Sequence, residues 1–193
     1  MTTPTHLVAS LALIGRNQKY RPHVKSILAG AFIPDAMIYV FFIWEGLIKG
    51  TDQRTMWDEL YFSDFWQFAV DIFNSIPLIL LLLLIGYGLK RIWLQAFSWS
   101  MLVHIALDLP FHNDDAHAHF LPFTNWKFES PISYWDPSYY GREFGLFELV
   151  FFAGCSVLVY KGITSPKYRK ITAVLCGLWV LLSSAATAWL FSS

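Results

Sequence analysis

The chain has 193 residues, of which 55% are hydrophobic, 18% aromatic and only 15% charged. A soluble domain of this size carries roughly a quarter charged residues, so the composition excludes an ordinary water-soluble globule and points to an integral membrane protein. Lysine plus arginine and aspartate plus glutamate balance at 14 each, which removes the electrostatic case for nucleic acid as a partner.

A bilayer core of about 30 Å needs roughly 20 mostly apolar residues per helix. The first apolar stretch, Thr3–Gly15, is shorter than that. Pro4 opens it with Thr3 as the expected N-cap, and Gly15 closes it. It lacks the positive n-region and Ala-x-Ala site of a signal peptide, so it is expected to remain as a half-helix whose N-terminus points into the bilayer. Five longer stretches follow, at about 26–48, 66–89, 92–111, 143–161 and 171–191. The expected fold is therefore all-α, one integral membrane domain over 1–193. Five spanning helices form a polytopic bundle with the short N-terminal half-helix and an irregular polar loop at 112–142.

Lysine and arginine orient the spans. Arg16, Lys19, Arg21 and Lys25 precede the first, Lys90 and Arg91 separate the second from the third, and Lys161, Lys167, Arg169 and Lys170 separate the fourth from the fifth. These connections are expected in the cytoplasm. The acidic connections, with Asp52, Asp58, Glu59 and Asp64 in one and Asp114, Asp115, Glu129 and Asp136 in the other, are expected outside, loop 112–142 among them. Cys155 and Cys176 lie within apolar stretches, so neither a disulfide framework nor a cysteine zinc motif is implied.

An ionisable group inside a span is costly unless it faces a cavity, pairs or binds an ion. His6, Asp35, Asp71, His104, Asp108 and Glu148 are such groups. At about 1.5 Å per residue, Asp35 lies roughly 15 Å from the basic end of its span, His6 at a similar level, and His104 roughly 20 Å up its own. Asp108 follows His104 by one turn on the same face, and Asp71 and Glu148 descend to this level from the outer end. The loop above adds His112, Asp114, Asp115, His117 and His119. Imidazole with carboxylate suits zinc, and manganese or iron where carboxylates dominate. Plainer roles stand beside this one. His104 and Asp108 can form an intramembrane hydrogen bond, Asp35 can satisfy a helix broken at Pro34, and the loop can be a solvated acidic segment.

Thr5-His6, Pro34-Asp35, His104-x-x-x-Asp108 and Phe120-Leu121-Pro122-Phe123 occur in that order over residues 1–135. This pattern resembles the family of bacterial membrane-bound metal-dependent hydrolases, some members of which are labelled LexA-binding inner-membrane hydrolases and some cobalamin biosynthesis proteins. The order of an early His, an Asp and then His-x-x-x-Asp is also similar to that of zinc-dependent phospholipase C. The resemblance implies a bacterial inner-membrane protein with a divalent-metal site at His6, Asp35, His104 and Asp108. Many relatives carry a histidine-containing motif ahead of a serine where this chain has Asp71-Ile-Phe-Asn74-Ser75. Asp71, or the loop histidines His112, His117 and His119, are the candidate replacements.

The leading expectation is a membrane-embedded hydrolase using one or two divalent metals, most simply Zn2+, on a lipid or phosphoester. Asp71, Asp115 or Glu148 would serve as general base toward the activated water. The alternatives are a metal or proton transporter-like protein and a non-catalytic assembly protein stapled by metal.

Overall fold

The computed structural model describes residues 1–192, with side chains through Ser184. It is all-helical, with no strand among the described residues. The helices are α1 (Thr3–Leu13), α2 (Val24–Phe41), α3 (Asp64–Phe73), α4 (Ile76–Gly88), α5 (Ile92–Asp108), α6 (Gly141–Gly162) and α7 (Pro166–Ser192). Four helical stretches are long and apolar enough to cross a membrane: Arg21–Ile48, Asp64–Gly88, Ile92–Phe111 and Gly141–Gly162. The fifth expected span, 171–191, falls in α7 and runs past the side chains the structure describes, so the count among described residues is four.

Polarity is inverted relative to a soluble domain. His6, Asp35, Ser98, Ser100, His104 and Asp108 are buried, while Leu47, Phe65, Leu81, Leu84 and Val150 face outward. Such a surface is compatible with lipid as the surrounding solvent, because hydrocarbon carries no penalty for apolar exposure. α5 occupies the middle of the bundle, packed on α2, α4 and α1, while α1 also lies against α2 and α6.

The closest approach is between α2 and α5 at Gly30. A Cβ built there would stand 2.2 Å from the Phe97 carbonyl oxygen and 2.9 Å from Ser100 Cβ, so only glycine lets the backbones meet. Past α2 the chain widens into π-type turns over Phe42–Ile48 and again over Thr55–Leu60. Phe41 packs edge-on against Trp57, Tyr61 and Trp66, which ties these turns to α3.

Two local expectations need correction. The N-cap position of α1 is Thr2, not Thr3. The Thr3 hydroxyl instead donates to Asp35 Oδ2 at 2.5 Å, a stronger partner than a neighbouring backbone group. The span expected unbroken over 66–89 starts at Asp64 and is interrupted at Asn74–Ser75. Ser75 caps α4, its Oγ lying 3.3 Å from the donating Leu78 N–H, and donates in turn to the Leu121 carbonyl at 2.6 Å. The Ile76 N–H donates to the His119 carbonyl at 2.8 Å. Irregular backbone within a span survives where protein satisfies its polar groups, and loop 112–142 does this here.

At the other end of the bundle, Arg21 donates to the Gly162 carbonyl at 2.7 Å and the hydroxyls of Tyr20 and Tyr87 lie 3.3 Å apart. The start of α2 and the ends of α4 and α6 therefore meet, and the three basic connections share one end.

Replacing Gly30 with Val should destabilise the bundle by about 1–3 kcal/mol, the usual scale of overpacking. Gly154→Val, whose added Cβ meets nothing within 4 Å, should change little. Thermal unfolding of both variants in detergent checks this, and equal melting temperatures would contradict the packing described.

Candidate metal centre

α5 presents Ser100, His104 and Asp108 at intervals of one turn, and His112 continues the row after the short turn Leu109–Phe111. All four are buried. The row faces the backbone of α2. Ser100 Oγ donates to the Ile27 carbonyl at 2.7 Å, and His104 Nδ1 lies 2.8 Å from the Ala31 carbonyl. A carbonyl only accepts, so Nδ1 carries a proton, and Nε2 is the ring nitrogen left to face the carboxylates. This backbone partner is the kind that orients metal-ligating histidines.

His104 Nε2 faces Asp35 Oδ1 at 3.4 Å and Asp108 Oδ2 at 3.1 Å. His6, from α1, stacks its ring on His104 with centroids 3.6 Å apart and planes 13° apart, and its Nε2 lies 3.0 Å from Asp108 Oδ1. These nitrogens sit close to oxygens yet lack hydrogen-bond alignment; His6 Nε2 and His104 Nε2 are buried without a hydrogen-bond partner. Ligand atoms about 2.0–2.2 Å from a tetrahedral ion stand about 3.3–3.6 Å from one another; the 3.4 Å from His104 Nε2 to Asp35 Oδ1 matches that spacing, and the 3.1 Å to Asp108 Oδ2 is shorter. Ligand atoms from His6, Asp35 and His104 all lie within 4.8 Å of one another, so this buried group can hold a metal ion. It is the sole group of three meeting that test among the described residues. Asp108 adjoins it through both oxygens, and Oδ1 also receives the amino group of Met1.

The free oxygen of Asp35 is held as well. Thr3 Oγ1 donates to Oδ2, and Tyr39 donates its hydroxyl to Thr3 at 2.9 Å, leaving Oδ1 for His104. α1 is anchored from the far side, where Thr2 donates its N–H and its hydroxyl to Glu148 Oε1 at 2.7 and 2.6 Å.

The loop forms a second layer. His112 lies between two carboxylates, its Nε2 3.3 Å from Asp108 Oδ2 and its Nδ1 2.9 Å from Asp115 Oδ2. Burial opposes charge on His112, but Asp108 and Asp115 outweigh it and push the pKa up to about 9. Burial likewise disfavours the Asp115 carboxylate, and the hydrogen bond from His112 overcomes it, lowering its pKa. His117 Nδ1 lies 3.5 Å from Asp71 Oδ1, and that oxygen accepts the Ala118 N–H at 3.0 Å. Lys127 Nζ is 3.5 Å from Asp71 Oδ2 and donates to Gln67 at 2.7 Å. His119 Nδ1 meets the Asn74 carbonyl at 3.0 Å, where the second span breaks. Asp114, beside Asp115, is exposed, yet its pKa is raised, first by desolvation of its carboxyl and then by that neighbour.

His6, Asp35, His104 and Asp108 thus come together as their depths implied. His112 and Asp115 reach them through Asp108, whereas Asp71, His117 and His119 organise the loop and Glu148 holds α1. Sequence reasoning did not pick out Thr3, Tyr39, Thr2 or Ser100. Only Ser100 had a legible signal, its place one turn before His104 on the same face. No family model, curated protein or solved structure matches the chain.

The clasp between loop and span makes a pH prediction. Burial lowers the pKa of His119 to about 4, below its ordinary 6.5. The folded protein then binds fewer protons than the unfolded one between these values, and stability is lost as pH falls through that window. The melting temperature should drop from pH 6.5 to 4.5, and His119→Gln should flatten the slope. Parallel slopes in the two proteins would rule out this cause.

Proposed function

We propose that the chain is a membrane-embedded, metal-dependent hydrolase acting on a lipid or phosphoester. His6, Asp35, His104 and Asp108 hold one divalent ion in this reading. The observation that carries it is the buried pair of imidazole nitrogens, unpartnered yet within 3.0–3.4 Å of carboxylate oxygens, with His104 Nε2 directed there by the Ala31 carbonyl. Two nitrogens and two oxygens suit zinc among the common divalent ions. Such an ion supplies Lewis acidity and nucleophilic water near neutral pH.

The side chains around it divide the remaining work. Asp115 is the general base of this proposal, because one of its oxygens is buried without a partner while the other bonds His112. His112 joins Asp115 to Asp108 and carries the proton toward the loop. Glu148 and Asp71 position α1 and the loop, since their oxygens are engaged by Thr2 and by Ala118 and Lys127. The motif order shared with bacterial membrane-bound metal-dependent hydrolases supports the reading. The same proposal places the protein in a bacterial inner membrane, with the basic end in the cytoplasm and loop 112–142 outside.

Elemental analysis of detergent-purified protein tests it. His104→Ala and Asp35→Ala should each lower bound metal at least about tenfold, the scale of losing a ligand or its support. Hydrolysis of phospholipid or model phosphoester should vanish with the metal and on chelation. Unchanged metal content in both variants would overturn the assignment. A finer prediction concerns Thr3→Val, which removes the donor to Asp35 Oδ2 at nearly constant shape. Metal affinity, read by competition with a chromophoric chelator, should fall about tenfold with helicity intact; unaltered affinity would show that Asp35 needs no such support.

A further inference from the structure

At the end of the bundle away from the metal centre, a cavity of about 610 Å³ opens between the end of α1, the start of α2, the end of α6 and the start of α7. Its walls are apolar at Leu11, Val24, Leu158 and Ile163, and Arg16, Arg21, Thr164 and Ser165 line it as well. Arg21 is tethered by its bond to the Gly162 carbonyl. Charge along the chain is strongly segregated around it. Segments 1–34, 72–107 and 149–193 contain no aspartate or glutamate, yet hold Arg16, Lys19, Arg21, Lys25, Lys90, Arg91, Lys161, Lys167, Arg169 and Lys170. Every residue lining the cavity lies within these segments, so none of them is acidic.

We propose that this cavity binds an anionic phospholipid from the surrounding leaflet. The phosphate sits between Arg16 and Arg21 within reach of the Thr164 and Ser165 hydroxyls, and an acyl chain follows the apolar wall. Guanidinium forks suit phosphate geometry, and basic pockets between spanning helices are a recognised way to hold such headgroups. The volume lies within the usual range for a ligand of this kind. A free anion would leave the apolar wall unused, and a zwitterionic lipid would bring its own cation toward two arginines. The site is independent of the metal reading.

Gly162 supplies a selective test, because a Cβ built there meets nothing within 4 Å and its carbonyl stays available to Arg21. Gly162→Leu therefore adds apolar bulk at a position lining the cavity while its Cβ displaces no protein contact. The full chain, released from micelles holding equal dioleoylphosphatidylglycerol and dioleoylphosphatidylcholine, is examined by native mass spectrometry. One phosphatidylglycerol per chain should be retained with about tenfold preference. Arg16→Gln should reduce that preference about fivefold, the contribution of one basic group near an anionic headgroup. Gly162→Leu should abolish retention while bound metal and the lipid-free melting temperature stay as in the wild type. Equal retention of the two lipids, unchanged preference in both variants, or displacement of the lipid by millimolar inorganic phosphate would each overturn the proposal.

Discussion

Two imidazoles and two carboxylates buried together away from water have to satisfy one another or a cation, and the bundle is organised around that requirement. α5 supplies His104 and Asp108, and α2 brings Asp35 to them only because Gly30 lets the two backbones touch. α1 is held in the bundle by its polar start: Thr2 on Glu148 and Thr3 on Asp35. The polar interior thus specifies helix positions that apolar packing alone leaves loose in lipid, where side chains and solvent are equally greasy.

The same constraint explains the break in the second span. Stopping a helix at Asn74–Ser75 exposes backbone groups, and loop 112–142 meets two of them: the Asn74 carbonyl faces His119 Nδ1 and the Ile76 N–H donates to the His119 carbonyl. Asn74 Nδ2 donates to the Pro34 carbonyl at 3.2 Å, linking the break to the turn of α2 that carries Asp35. The loop is therefore a structural part of the site's wall, and it brings His112 to Asp108 Oδ2 with Asp115 behind it.

Charge divides the molecule into two working ends. All 14 acidic residues lie in the three segments 35–71, 108–136 and 143–148, which include Asp35, Asp108 and the loop above them. Ten of the 14 basic residues cluster at the opposite end, around the cavity of α1, α6 and α7. Acidic and basic groups are thereby kept largely apart within a chain of zero formal net charge.

Sequence by itself determined the membrane character, the all-helical class, most span limits and the depth of His6, Asp35, His104 and Asp108. Hydropathy and a fixed rise per residue are local properties that need no knowledge of neighbours. It did not reveal the interruption at Asn74–Ser75, which an apolar run hides when the compensating partners come from 45 residues away, as His119 does. Nor did it separate the candidates sharing one level. Asp71, Glu148 and Asp115 have comparable chemistry on paper, and only the tertiary structure showed Glu148 gripping Thr2, Asp71 gripping the loop and Asp115 facing His112. Depth is a single coordinate; convergence on an ion requires three, and the other two are set by how helix faces rotate and pack against one another.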